Sequence, residues 1–360
     1  MGVEEEFLLV DPRDGQVRAL AAAALERCME GAECEVEAEL QLQQVETNTE
    51  PCISLSDLGR QIRHARRQAA EAARSVGAEI AAMATSALPA ETSITPDRRY
   101  RRMRERFGLM AEEQLTCGCH IHVEVESDEE GVAVLDRMRP WLPTLLALSA
   151  NSPFWQGKDS AYSSYRAQVW TRWPSAGPTE LFGSAETYHD TVRAMTETQT
   201  VLDTGMIYFD ARLSQRYPTV EIRVADVCLH PDDAVLLAAL ARALVRTAER
   251  EWRNGEAAAS VRLELIRLAG WRASRSGLEA ELLDPRTMRP APALEVIDGL
   301  LEHVTEALED SGDHADVIEL RDALLSRGTG ARQQRAMFRE SGQLADVVAE
   351  CARRTVPSCS

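Results

Sequence analysis

The chain lacks the common signatures of a glycine-rich phosphate cradle and of a helix-borne metal site. Neither G-x-x-x-x-G-K-[ST] nor G-x-G-x-x-G occurs in its 360 residues, and H-E-x-x-H and G-x-S-x-G are missing as well. A nucleotide, if bound, must therefore be held by metals and arginines rather than by the backbone amides of a loop. Positive charge is in deficit too: 40 Lys and Arg stand against 58 Asp and Glu, a net charge of −18. That excludes broad contact with a nucleic-acid backbone, and much of the acidity belongs to solvated helix faces. The longest apolar stretches, 141–150 and 234–245, fall short of the ~20 residues a bilayer requires, and Arg242 interrupts the second. The start, Met-Gly-Val-Glu-Glu-Glu, has neither a basic region nor an apolar signal segment, and Glu6 stands where a myristoylation motif needs Ser or Thr. A cytoplasmic protein without membrane attachment is expected. Strand character begins at the second residue, which suggests a native start slightly upstream. Eight cysteines without framework spacing read as reduced thiols, with Cys359 in a frayed tail.

What is there is alternation. Glu4/Glu6, Glu46/Asn48, His120/His122, Asp210/Arg212 and Glu221/Arg223 each sit two residues apart in segments of strand character. Successive strand side chains point to opposite faces, so each pair shares one face. The intervening positions are mostly apolar or Thr, which describes a sheet with one packed face and one chemically active face. Leu8 and Val10 continue the parity of Glu4 and Glu6. Those carboxylates therefore lie on a face that is otherwise being covered, and buried carboxylates need cations.

The rest of the chain is arranged around these segments. A turn at Asp11-Pro12-Arg13-Asp14-Gly15 leads to a second short strand or a helix over 19–30. A strand pair over 34–42 and 44–50 follows, and then one long helix over 54–85, capped by Ser54 or Ser56. Residues 89–96 form a loop and 97–113 a basic helix. The helix over 128–150 is bent or split by Pro140 and Pro143. Residues 151–182, rich in Pro, Gly, Trp, Tyr and Ser, are too long for an idle connection and read as a functional loop. A helix over 187–203, a hairpin over 207–213 and 219–224, and a helical stretch over 232–352 complete the reading. With no linker and no internal repeat, the economical architecture is one α+β domain over 1–360: an antiparallel sheet of about six strands built from 1–230, helices on one face, and a helical part over 231–355.

Cys117-Gly-Cys-His-Ile-His invites a zinc site, but Cys117 and Cys119 share their parity with Ile121 and Val123, opposite to His120 and His122. The cysteines read as core. For the histidines, a structural role and a place on the active face stay equally open. Arg212, Arg216 and Arg223 around Glu221 exceed what a cross-strand ion pair requires. Surplus arginine on such a strand suits a carboxylate or phosphate.

Taken together, G-V-E-E-E-F-L-L-V-D-P, Q-V-E-T-N-T, G-C-H-I-H-V, S-A-N-S-P-F-W with S-S-Y-R-A-Q-V-W, and P-T-V-E-I-R-V-A-D-V resemble the bacterial carboxylate–amine ligases of the second glutamate–cysteine ligase type, over residues 2 to about 230, with an echo in G-T-G-A-R-Q-Q-R at 328–335. The resemblance implies a glutamine-synthetase-like catalytic sheet, ATP with Mg²⁺, and an amide formed through an acyl phosphate with release of ADP and phosphate. L-glutamate and L-cysteine are the default substrates, and a homodimer is left open. It further implies that Glu4, Glu6, Glu46 and Glu221 are metal carboxylates. Arg223 and Arg212 would stabilise the transferring phosphoryl group or hold the substrate carboxylate, His120 or His122 would contribute at the metal–phosphate site, and His122, Arg216 and Glu50 would bind the nucleotide. Tyr165, Arg166 and Trp170 would line the acceptor pocket. Two other readings stay open: a guanidino kinase-like amine phosphotransferase, and a non-catalytic nucleotide or amino-acid sensor.

Overall fold

The computed structural model describes residues 1–29 and 36–356. Residues 34–35 of the expected second strand, residue 30 of the expected first helix and Cys359 lie outside them. Seven strands make the main sheet: β1 (Gly2–Val10), β2 (Val36–Ala38), β3 (Gln44–Asn48), β4 (Glu79–Ala81), β5 (Gly118–Glu124), β6 (Ala211–Leu213) and β7 (Thr219–Asp226). Their order is β2-β3-β1-β5-β7-β6, with β4 also pairing β1, and these pairings are antiparallel.

Register brings the chemistry together. Glu4 lies opposite Asn48 on one side and His120 on the other, and Glu6 lies opposite Glu46. His122 lies opposite Glu221, which in turn faces Arg212. The alternation in five separate segments thus becomes one continuous face. On the reverse face Val3, Cys119, Ile121, Val123, Val220 and Ile222 are buried in the main core. They pack with helices α1 (Leu55–Ser75), α3 (Asp128–Met138) and α6 (Pro231–Arg253). In α1, Ser54 caps the Asp57 amide at 3.1 Å, and Leu58, Ile62, Ala65 and Ala69 recur on the buried side. Full burial of a side chain such as Leu58 or Ile62 contributes roughly 1.5–3 kcal/mol.

Several boundaries differ from the sequence expectation. The helix expected over 54–85 ends at Ser75, because Gly77 adopts φ +80° and Glu79–Ala81 joins β1 as a strand. Val76 and Ile80 keep helical spacing, yet pairing to β1 overrides it. The basic helix α2 covers Arg98–Phe107, with a further turn at Leu109–Glu112. The stretch 128–150 is split into α3 and α4 (Leu142–Ser149). The loop over 151–182 contains a small hairpin, Phe154–Trp155 with Lys158–Asp159, and helix α5 (Tyr165–Trp170). The helix expected over 187–203 covers Ala185–Glu197. Among the helices after β7 are α7 (Leu263–Ser276), α8 (Gly330–Ser341) and α9 (Leu344–Thr355), and a hairpin, Leu282–Asp284 with Arg289–Ala291, interrupts that part of the chain.

Between Cys119 and Ile121 the partner strand advances from Ala225 to Ile222, one residue more than β5 does. This bulge at Arg223–Val224 keeps Ala225 and Ile222 on the helix side and returns Asp226 to the active side beside Gly118. Cys52, Cys117, Cys119, Cys228 and Cys351 are free and buried, as expected, whereas Cys28 is disulfide-bonded. No described helix is long and apolar enough to cross a membrane.

Candidate active site

Two groups of ligand atoms form on the open face. Glu4, His120 and Glu221 can bring theirs within 4.8 Å of one another, and so can Glu6, Glu39 and Glu46. In the first group Glu4 Oε2 lies 3.2 Å from His120 Nδ1, and Glu4 Oε1 lies 3.0 Å from His122 Nε2. Burial works against ionisation of Glu4, but the two imidazoles hold its carboxyl well below the usual range. His120 is itself pushed down, by burial and by Arg223. His122 Nδ1 is tied to Thr219 Oγ1 at 2.9 Å, which orients the ring.

The second group is neutralised less: His120 Nε2 stands 4.0 Å from Glu6 Oε1, and Arg223 and Arg99 act on Glu39 only at a distance. Burial, and then the charges of Glu39, Glu4 and Glu6, raise Glu46 far above an ordinary carboxyl. Burial and Glu6 raise Glu39 to about 7. Glu6 Oε2 accepts the Gly118 amide at 2.6 Å, a fixed dipole but no full charge. Crowded carboxylate oxygens without a cation are a donor set for a hard divalent ion, so these residues fit Mg²⁺. Glu39 is the member that the sequence reading missed. The signal was present in the alternation Glu35, Glu37, Glu39, which carries the β2 pattern one step past the strand.

Arginines close one side. Arg212 grips Glu221 through Nε at 2.7 Å and Nη2 at 3.2 Å, and Arg223 Nη1 bonds the same carboxylate. These contacts hold Glu221 at about 2 against burial. Both Glu221 oxygens are thus engaged, and only their remaining lone pairs are free for a metal. Arg223 Nε is buried without a partner, and its guanidinium lies 5.7 Å from the Trp170 ring centre and 5.9 Å from that of Tyr208.

In α5, Arg166 and Trp170 are one turn apart and share a face, with 5.4 Å between guanidinium and ring centre. Arg166 lies across Gly118, where a Cβ would collide with Nη2. Tyr165 turns the other way, to Trp155 and Tyr162, so the structure does not bring it to Arg223 with its helix neighbours. Arg216 is exposed in the β6–β7 turn, and no hydrogen bond or ion pair links its side chain to the cluster. Glu50 is exposed two residues beyond β3.

The S-A-N-S-P segment and the G-T-G-A-R-Q-Q-R echo prove to be one clasp. Asp226 accepts from the Asn151 amide (2.9 Å), Ser152 Oγ (2.7 Å) and Ser164 Oγ (2.8 Å). Gln334 donates to Asn151 O and Oδ1, while Gly330 leaves room for the Asn151 side chain. Ser152 Oγ in turn accepts the Arg166 amide at 3.0 Å, so the clasp fixes where α5 starts.

The open face of this antiparallel sheet carries carboxylates, imidazoles and arginines, donor groups chemically suited to a hard cation and to an anion. The chain itself belongs to glutamate–cysteine ligase family 2 (GCS2), a family of carboxylate–amine ligases, whose profile matches residues 1–350. It is 58% identical over 357 residues to a provisionally named glutamate–cysteine ligase 2 of Streptomyces coelicolor, covering 99% of this chain and 98% of that protein. Its fold is similar to that of the glutamate–cysteine ligase of Francisella tularensis, solved in complex with AMP, with TM-score 0.68, 12% identity, and coverage of 99% of this chain and 87% of that one. It also resembles the bifunctional glutathione synthetase of Pasteurella multocida at TM-score 0.67 and 16% identity; there 99% of this chain covers 52% of the larger protein. These likenesses agree with the α+β, antiparallel-sheet architecture expected from the sequence.

Proposed function

We propose that the protein is an ATP-dependent ligase that joins the carboxylate of one amino acid to the amine of another, with L-glutamate and L-cysteine as the default pair. The observation that carries this reading is the second carboxylate group, a buried Glu6 with half-buried Glu39 and Glu46, whose oxygens crowd together and push Glu39 and Glu46 toward protonation. A sheet serving only as scaffold has no use for that repulsion.

A free acid and amine form an unreactive ion pair in water, so the carboxylate needs activation. Transfer of the γ-phosphoryl of ATP to it gives an acyl phosphate that the amine attacks, with release of phosphate. Such transfer demands positioning and charge neutralisation rather than covalent chemistry from the protein. In this reading Glu4, His120 and Glu221, and Glu6, Glu39 and Glu46, hold Mg²⁺, which neutralises phosphate charge when bound. Arg223 is already aligned by Glu221 and faces the transferring group, and its unpartnered Nε supplies a further donor. Arg212 keeps Glu221 ionised and in place. His122, Arg216 and Glu50 are assigned to the nucleotide, and Arg166 and Trp170 to the amino acid. AMP in the related Francisella fold supports a nucleotide site.

The test is a mass-spectrometric screen of ATP-dependent coupling across amino-acid pairs, run with a phosphate-release assay. An amide product with stoichiometric phosphate supports the ligase. A phosphorylated amine would instead identify a phosphotransferase, and no phosphate release with any pair would leave a sensor.

A further inference from the structure

Large apolar side chains exposed one at a time are ordinary on a protein surface. Helix α7 departs from that pattern. Leu265, Leu268 and Trp271 follow one another at three-residue spacing and are 36%, 56% and 49% exposed. The spacing lines them along one side of the helix, opposite Ile266, Ala269 and Ala273, which are packed into the molecule. The ridge is also supported from below. Tyr162 meets Trp271 edge-on with 6.3 Å between ring centres, Tyr165 meets Tyr162 at 5.8 Å, and Trp155 meets Tyr165 at 5.6 Å. Tyr165, which the open face of the sheet does not use, thus belongs to a chain of half-buried rings that ends on the ridge.

Charge on α7 is split between its ends. Glu264 lies in the first turn, four residues before Leu268, and Arg275 in the last turn, four residues after Trp271. Arg275 reaches the Ala161 carbonyl and lies 5.4 Å from the Tyr162 ring centre, with no ion pair among the described residues. Glu264 has an ion pair only with Arg262, just outside the helix, at 2.8 Å. A second α7 laid antiparallel on the first, with the twofold axis midway between Leu268 and Trp271, sets Leu268 of each copy against Trp271 of the other. The same operation sets Glu264 of each copy level with Arg275 of the other. Antiparallel helices oppose their dipoles favourably as well. The ridge is therefore complementary to itself, both in its apolar order and in its charge.

We propose that α7 forms the isologous interface of a homodimer, in which the ridge of one copy covers the ridge of the other. This assembly stands independently of the chemistry on the open face. Two other occupants match the ridge less closely. A helix bearing Leu, Trp and Arg can lie in a lipid surface, but a chain of net charge −18 is repelled by anionic headgroups. A contact between α7 and a different face of a second copy would leave the symmetry of Glu264 and Arg275 unused.

Sedimentation velocity of the full chain over a concentration series tests this, with circular dichroism to check that each variant folds. Wild type should sediment as a dimer at micromolar concentration. Leu268→Glu should raise the dimer Kd by about a hundredfold or more, because it puts a charge at the centre of the contact. Glu264→Arg and Arg275→Glu should each raise it by about tenfold or more by setting like charges together, and the double variant carrying both should restore the dimer. A wild type that stays monomeric, a dimer that survives Leu268→Glu, or a double variant as weak as the single ones overturns the inference. So does flotation of wild type, but not of Leu268→Glu, with vesicles of phosphatidylcholine and phosphatidylserine, which would assign the ridge to a lipid surface.

Discussion

Glu5 and Glu6 are neighbours on β1, both buried, and they sit on opposite sides of the sheet in opposite electrostatic conditions. On the helix side, Arg66 holds Glu5 through Nη2 at 2.6 Å and Nε at 2.9 Å, and spends its other protons on the carbonyls of Cys228, Leu229 and Thr355. Every charge there has a protein partner. On the open side, Glu6 faces Glu46 and Glu39 with nothing cationic among its direct bonds. Burial cannot explain the contrast, since both are sequestered. The helix side is a finished structural ion pair, and the open side is a charge arrangement completed only by something that binds.

Breaking the finished side should have the largest effect on stability. Arg66→Met leaves Glu5 as a buried unpaired carboxylate and should cost about 3–5 kcal/mol in denaturant unfolding, with or without Mg²⁺. The unfinished side should respond in the opposite sense. Glu46→Gln should lower ATP turnover by at least about a hundredfold, yet stabilise the metal-free protein in thermal unfolding because a carboxyl forced out of its ordinary ionisation range is replaced by a neutral amide. Should Glu46→Gln destabilise as Arg66→Met does, the contrast fails.

Gly118→Ala probes the seam between the two. A Cβ there forces Arg166 to move, at a cost of about 1–3 kcal/mol, and should raise KM for the amino acid more than KM for ATP. The pH dependence sharpens the same comparison. Glu39 titrates near 4.5 unfolded and at about 7 folded, so between those values the folded state binds more protons. Metal-free stability should therefore fall as pH rises from 4.5 to 7, and Glu46, also raised well above its ordinary value, adds to the fall. Saturating Mg²⁺ should flatten that slope in thermal melts, and EDTA should restore it. The smallest effect is expected at Arg216→Ala, within about 0.5 kcal/mol of stability, with any functional change confined to KM for ATP.

Much of the open face was legible because period-two alternation survives in single strands, and antiparallel register then aligned Glu4, His120, Glu221 and Arg212 without further information. Legibility stopped where geometry is set by distant segments. Glu39 continues the alternation of Glu35 and Glu37 one step past the end of β2, so only the tertiary arrangement shows it beside Glu6 and Glu46. Glu5 breaks the apolar pattern of the packed face, and only the structure supplies Arg66 from another element. Asn151 and Gln334 meet across 183 residues, so the two motifs looked independent. In α5 the helical period separates Tyr165 from Arg166 and Trp170, which a reading of the stretch as irregular loop could not do. Val76 and Ile80 kept helical spacing across Gly77, and pairing with β1 decided otherwise.

The Arg66 guanidinium also ties the fifth residue to the carbonyl of Thr355, and Thr355 Oγ1 accepts the Ala82 amide at 2.8 Å. Glu5 meets its partner, Arg66, 61 residues on, but that guanidinium completes its set of acceptors only when a helix made 289 residues after it arrives. Such long-range closure slows folding, and it leaves the buried guanidinium one acceptor short until α9 docks.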